Sequence, residues 1–395
     1  MSGFRAAFCF LLFLTAPLQA NLSYWEHQSF FGPADVAIVG AGLVGLTAAL
    51  YLKQRRPGWR VVVLERGALP TGASTKNAGF ACFGSVSELI EQEKRGDLQA
   101  VVAARWAGLA RLRELLGDAA LDYQPVGGYE LFRHEAAALA AECREKIDYF
   151  NTLLAPVVGH GRTFRDASAE AGRFGFGGVG SLLKNEHEGS LDAGRMMRSL
   201  LARVWAADVP VLTNCAVEAI EPATAGHSLR LANGATVAAG QVLVATNAFA
   251  TELLPELAVT PGRGQVLVTE PLPDVQLPGT FHYDHGYAYF RQLPDHRVLL
   301  GGGRNLNFAA EETTVPGLTS TVQTYLESLL HEVIVPGRQP RIDYRWSGVM
   351  GFGPALAPVI GWVRPGALAA VRCNGMGVAL GAGTGWRAAE MLAGA

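Results

Sequence analysis

The chain has 395 residues, 49% of them hydrophobic and 17% charged, with a formal net charge of −2 and an isoelectric point near 6.5. That length exceeds what one compact core usually serves, so two lobes sharing an interface are expected. The near-neutral charge gives no electrostatic case for nucleic acid or an anionic membrane as partner. Five cysteines (Cys9, Cys82, Cys143, Cys215, Cys373) are widely spaced, with no CxxC and no Cys/His cluster, so neither a metal site nor a disulfide framework is supported.

Arg5, the apolar run Ala6–Leu14 and the small residues up to Ala20 have the layout of a secretory signal peptide. The run is too short to span a bilayer, which needs about 20 apolar residues. Leu18 is a poor residue for the −3 position, and no twin-Arg is present for exporting a protein already folded around a cofactor. The competing reading is a start placed too early, with the working protein beginning near Asn21. A cytoplasmic protein is the leading expectation and an exported one the alternative.

Val36–Val39 is a short apolar run ending at Gly40, as in a buried parallel strand. Gly42 to about Gln54 reads as a helix, and Arg60–Glu65 as a second strand, completing a βαβ unit of about 30 residues. Val86–Leu116 and Glu135–Leu154 read as helical, and Leu191–Ala206 as an amphipathic helix opened by Asp192. Short β-type runs follow between Val211 and Val237, broken by the hairpin signal Asn233-Gly234. Gln241–Thr246 is an apolar strand. Gly264–Glu270, Phe281–Gln292 and Arg297–Gly301 read as an antiparallel sheet, Gly317–Glu332 as a helix, and Val371–Leu392 as a strand, a glycine turn and a closing helix.

Gly40-Ala41-Gly42-Leu43-Val44-Gly45 is a GxGxxG sequence set between the first strand and the first helix. Its glycines serve a tight turn, close approach of a pyrophosphate to the backbone, and close helix–strand packing. The first-turn N–H groups and the helix dipole face the phosphates. Glu65, 20 residues past Gly45, ends the second strand, where a carboxylate accepts from ribose hydroxyls. This predicts a bound dinucleotide without choosing between FAD and NAD.

Gly72-Ala73-Ser74-Thr75-Lys76-Asn77-Ala78-Gly79-Phe80 resembles a segment of the FAD-dependent D-amino-acid oxidase superfamily, which includes glycine oxidase, sarcosine oxidase and γ-glutamylputrescine oxidase. Further matches follow in the family's order: Leu191-Asp192, Val217, Ala245–Phe249 with Leu253-Leu254-Pro255, Pro261–Gln265 with Thr269–Leu272, and Tyr289-Phe290-Arg291. Arg345–Gly348, Pro358–Gly361 and Asn374–Gly377 complete the series, and the overall pattern is nearest the γ-glutamylputrescine oxidase-like branch.

The resemblance implies a Rossmann-like α/β FAD-binding domain from 34–90, 185–255 and 340–395, and an antiparallel-sheet substrate domain from 91–184 and 256–339. It implies FAD held by Gly40, Gly42, Gly45, Glu65, Arg66, Ser74, Asn77, Ala78, Gly79, Val217, Thr246, Asn247, Gly375, Met376 and Gly377. At the last three, backbone N–H groups and a helix N-terminus would face the flavin.

On a single strand Phe281–Gln292, alternation puts Tyr283, His285, Tyr287, Tyr289 and Arg291 on one face, provided Gly286 does not bulge it. Tyr287, Tyr289 and Arg291 are the candidates to line the substrate, an amine or amino acid. The implied reaction oxidises a C–N bond by hydride transfer to the flavin, giving an imine that water hydrolyses. Three positions depart from relatives: Met350 and Ala355 stand where glycine oxidases carry Arg and Asp, and Leu299 where sarcosine oxidase carries Lys. Simple α-amino acids are thereby disfavoured. The electron acceptor is open between oxygen and another species, and a flavin-binding protein without turnover is the main alternative.

Overall fold

The computed structural model describes residues 21–394, so the signal-peptide reading of residues 1–20 lies outside the described residues. Two eight-stranded sheets organise the chain. The first runs in the order Val359–Arg364, Ala367–Val371, Thr236–Val244, Ala34–Val39, Val61–Leu64 and Val211–Leu212. Four of the five pairings in that order are parallel, with Ile38 beside Leu243 on one flank and Val63 on the other, and only Val359–Arg364 joins antiparallel. His227–Leu231 and Val217–Pro222 extend the sheet as an antiparallel ribbon, turned at Asn233-Gly234 as the hairpin signal predicts.

The Val61–Leu64 run is buried on every residue, because helices cover the sheet. Leu43–Arg55, Leu98–Leu116, Ala193–Ala206 and Gly377–Ala393 share one core on that sheet, through Leu46, Leu112, Leu200 and Leu392 among others. Each such buried leucine contributes roughly 1.5–3 kcal/mol of transfer free energy. Leu98–Leu116 therefore packs with the dinucleotide lobe, although the 91–184 boundary assigns it to the other.

The second sheet runs Ile342–Phe352, Thr260–Pro271, Arg297–Gly302, Ala288–Gln292, Thr280–Tyr283, Gly128–Arg133, Val179–Asn185 and Phe164–Asp166. It is antiparallel except where Thr280–Tyr283 lies parallel to Gly128–Arg133. Ile342–Phe352, which the boundary at 340 gives to the dinucleotide lobe, is an edge strand of this second sheet.

The strand expected over Phe281–Gln292 is two strands. Asp284, His285 and Gly286 all take left-handed backbone angles (φ of 51°, 53° and 76°), reversing the chain into a hairpin. Tyr283 consequently falls on the face opposite Tyr289 and packs on the sheet's core, while His282 pairs across from Tyr289 and shares its face. Val86–Leu116 is likewise two helices, Val86–Glu93 and Leu98–Leu116, parted at Gly96. No described helix is long and apolar enough to cross a membrane.

Candidate active site

The glycine turn forms where the first strand hands over to its helix. Gly40 sits at φ +104°, and a Cβ on Gly45 would lie 2.0 Å from the Gly40 carbonyl oxygen, so only glycine lets the helix close on the strand. Glu65 ends the next strand, 8% exposed, with its Oε2 accepting from Ala41 N–H (3.0 Å) and its Oε1 from Gly67 N–H (3.0 Å). The predicted ribose acid therefore also ties the glycine turn to its own strand end. Ser74 Oγ accepts from Leu43 N–H at 2.9 Å, joining the turn to the segment that follows Glu65.

From this turn a cavity of ≈ 1110 Å³ extends between the two sheets. Of the residues predicted to hold a cofactor, all line it except Gly45 and Gly79, which act in packing. Val217 lies at the dinucleotide end, with Arg66, whose guanidinium stacks on Phe249 at 3.7 Å. Asn77 is spent on its own turn, accepting from Gly79 N–H (2.8 Å) and donating to the Ser74 carbonyl (2.7 Å). Asn247 accepts from Arg372 N–H, bracing the strand before Cys373. Gly375 (φ +82°) turns the chain into the Gly377–Ala393 helix, whose N-terminus has no side-chain cap and borders the cavity.

These features fit FAD. Buried Thr246 Oγ1 has no partner and belongs to a residue of the wall, the glycine cradle leaves room for phosphate, and a helix N-terminus stands at the far side.

The second sheet supplies the opposite wall. Tyr289 lies against Phe80 (ring centroids 5.4 Å apart), and burial pushes its phenol up to about 12. Tyr287 is 37% exposed at the same wall. Arg291 points elsewhere. It is 8% exposed, and donates through Nε to the Ala78 carbonyl (2.7 Å) and through a terminal nitrogen to the Leu191 carbonyl (2.9 Å). Its guanidinium clamps two loops beneath the cavity instead of facing a substrate. Leu299 packs with Ala78, Val266 and Val268, and Ala355 is an exposed residue off the wall, so only Met350 of the three departures lines the cavity.

Two groups escaped the sequence reading. His282, buried on the Tyr289 face, bonds Glu188 (Nε2 to Oε2 3.0 Å), with Glu88 3.8 Å from its Nδ1. Burial opposes its charge, but Glu188 and then Glu88 and Glu130 outweigh that and raise it to about 9. Its pairing needed the hairpin register to be seen. Arg304 follows three consecutive glycines (Gly301–Gly303), a signal for a turn delivering a cation, and it lines the cavity with its guanidinium 3.8 Å over the Phe352 ring.

A parallel sheet with a glycine turn and terminal acid, joined by one cavity to an aromatic wall on an antiparallel sheet, defines a dinucleotide-dependent oxidoreductase. The family model described as "DAO: FAD dependent oxidoreductase" matches residues 35–391, and the chain belongs to that family. It is an FAD-dependent enzyme.

The chain is 26% identical over 334 residues to gamma-glutamylputrescine oxidoreductase of Escherichia coli K12, covering 80% of this chain and 73% of the relative. It is 25% identical to the probable oxidoreductase OrdL of Rhizobium meliloti, over 91% and 83% of the two chains. Among solved structures, glycine oxidase from Geobacillus kaustophilus superposes with a TM-score of 0.72 at 21% identity, over 91% of this chain and 94% of the other. That last likeness establishes the shared fold.

Proposed function

We propose that this enzyme oxidises the C–N bond of an amine or amino acid. The carrying observation is the single cavity that runs from the glycine turn and Glu65 to Tyr287, Tyr289 and Arg304 on the second sheet. Bound FAD would supply hydride acceptance from the carbon beside the amine nitrogen; the resulting imine is hydrolysed by water. Two relatives support the substrate class: the E. coli relative is named for γ-glutamylputrescine, and the superposed glycine oxidase for glycine.

The chain's own residues bind, orient and dry the site. Gly40, Gly42 and Glu65 would hold the pyrophosphate and adenosine ribose, and Ala78 and Gly375–Gly377 would border the ring system. Tyr289, held protonated by burial, offers a neutral O–H to the substrate nitrogen side. Phe80 and Phe352 exclude water from the reacting carbon. An amine bound neutral needs no strong protein base, because its nitrogen lone pair is already free to assist loss of the hydride.

The test is anaerobic mixing of purified yellow enzyme with a panel of primary amines, secondary amines and N-substituted amino acids. Bleaching of the flavin band by a member of the panel is expected. A flavin that stays oxidised with all of them refutes the reading; where bleaching occurs, comparing re-oxidation of the reduced flavin by air and by an artificial acceptor separates oxygen from another electron acceptor.

A further inference from the structure

We propose that Cys82, Glu188 and His282 form a binding site for a zinc-type divalent cation, whose fourth coordination position opens on the cavity. The site stands whether or not the amine reading does, since amine oxidation uses none of these donor atoms. One donor atom from each residue lies within 4.8 Å of the other two, and all three residues are buried. A thiolate, a carboxylate and an imidazole suit tetrahedral zinc, and the two negative charges balance a dication. Spacing along the chain hid the group, because positions 82, 188 and 282 belong to three separate segments.

The fold brings these segments together in stages. The short strands Phe80–Ala81 and Gly189–Ser190 pair antiparallel, which sets Cys82 beside Glu188. Glu188 is fully buried and aimed. Its Oε1 accepts from Phe83 N–H (3.1 Å) and Gly84 N–H (3.2 Å), which leaves Oε2 to face His282. The carboxylate fills the space left by Gly128, where a Cβ would lie 2.0 Å from Oε2. His282 enters from the strand Thr280–Tyr283, parallel to Gly128–Arg133. Its Nε2 stands 3.0 Å from Glu188 Oε2, and its Nδ1 is 3.8 Å from Glu88 Oε2. A carboxylate behind the second ring nitrogen is the usual outer partner of a metal-bound histidine, fixing its ring and raising its basicity.

Tetrahedral bonds of ordinary length put donor atoms roughly 3.3–3.6 Å apart, so His282 and Glu188 need part only slightly to admit the ion. In the metal-free protein these two groups keep the bond described above, and metal binding replaces it with two bonds to the ion. Arg105 is the cation whose charge already reaches Cys82, but it is committed to the Phe83 carbonyl (2.9 Å) and Gln92 Oε1 (2.8 Å). Cys82, His282 and Glu88 line the cavity with Glu188 behind them, so the open position faces inward, beside Phe80 and Tyr289. Three protein ligands with one open position hold an exchangeable water, or a nitrogen or oxygen donor of whatever occupies the cavity.

The experiment uses purified FAD-loaded protein, stripped with a chelator, checked for flavin content and dialysed to equilibrium against buffered zinc or cobalt(II). Elemental analysis should find one zinc per chain. Cobalt should give a thiolate-to-metal charge-transfer band, with d–d bands to the red of the flavin. Cys82→Ser and Glu188→Gln should each weaken zinc at least about 100-fold, and Glu88→Gln about 10- to 100-fold. If Cys82→Ser fails to fold, exclusion assigns the ligand: serine variants at Cys9, Cys143, Cys215 and Cys373 should each keep the thiolate band. No uptake above that of the stripped protein, a cobalt spectrum without a thiolate band, undiminished uptake in Cys82→Ser, or loss of the band on removing another cysteine each overturns the site. His282 and Glu188 are then a plain buried ion pair.

Amine bleaching is a separate readout. Metal uptake in a protein that no amine reduces keeps this site and refutes the reaction, and bleaching without metal uptake does the reverse.

Discussion

Replacing Arg291 by methionine separates a structural clamp from a substrate-binding cation. The substitution keeps an apolar stem of similar reach and removes the donors to the Ala78 carbonyl (2.7 Å) and the Leu191 carbonyl (2.9 Å). Both bonds come from a charged donor in a site where Arg291 is only 8% exposed, so each is worth roughly 1.5–3 kcal/mol and the pair about 3–6 kcal/mol. The orphaned carbonyls cannot recruit bulk water without opening the loop at Ala78-Gly79, where a Cβ on Gly79 would already lie 2.1 Å from the Leu191 oxygen. Because Ala78 also borders the cavity, the loop's loosening should release FAD.

Thermal unfolding followed by circular dichroism should show a fall of about 4–7 °C. The ratio of flavin to protein absorbance should drop in parallel. Substrate KM should change little in whatever fraction keeps its flavin. A variant with wild-type melting and full flavin but a large loss of substrate affinity would refute the clamp and restore Arg291 to the substrate wall.

Three further outcomes are expected. Gly45→Val, whose Cβ would start 2.0 Å from the Gly40 carbonyl, should weaken FAD binding at least about tenfold, read by flavin release on dilution; retention of flavin contradicts the cradle. Glu65→Ala removes the acceptor for Ala41 N–H and Gly67 N–H and should cost roughly 3 kcal/mol of stability, beyond any effect on the ribose; equal denaturation midpoints for the apo forms would rule out the first role. His282 is raised from 6.5 to about 9 when folded, so its contribution is full below about 6.5 and disappears as pH rises through 9. Urea unfolding from pH 6 to 10 should therefore show falling stability over that window in the wild type, and a flatter profile in His282→Gln or Glu188→Gln.

The dinucleotide half of the molecule was written locally. A strand, GxGxxG, a helix and a terminal acid form one contiguous unit, and the glycines at 40 and 45 are dictated by contacts between near neighbours. Parallel strands buried on both faces, such as Val61–Leu64, announce themselves as apolar runs, so that sheet could be read without partners. The segment from Ser74 to Gly79 carried the cofactor's identity by resemblance, and the family match bears it out.

The substrate wall was legible only in part. Alternation along Phe281–Gln292 assumed one strand, and three successive left-handed residues at Asp284–Gly286 folded it into a hairpin. That reversal turned Tyr283 into the core and brought His282 beside Tyr289. Arg291 was correctly placed on the Tyr289 face, yet whether a cation on that face meets solvent, substrate or a carbonyl depends on the distant chain packed over it, here Ala78 and Leu191. Arg304 illustrates the same limit from the other side. Sequence shows a cation after a glycine turn; only tertiary structure shows that no carboxylate meets it and that Gly262 leaves it space. Local chemistry thus determined where the cofactor goes, because its cradle is built from neighbours along the chain. Long-range packing decided which charges remain free to meet a substrate, because a charge is free or spent according to what folds against it.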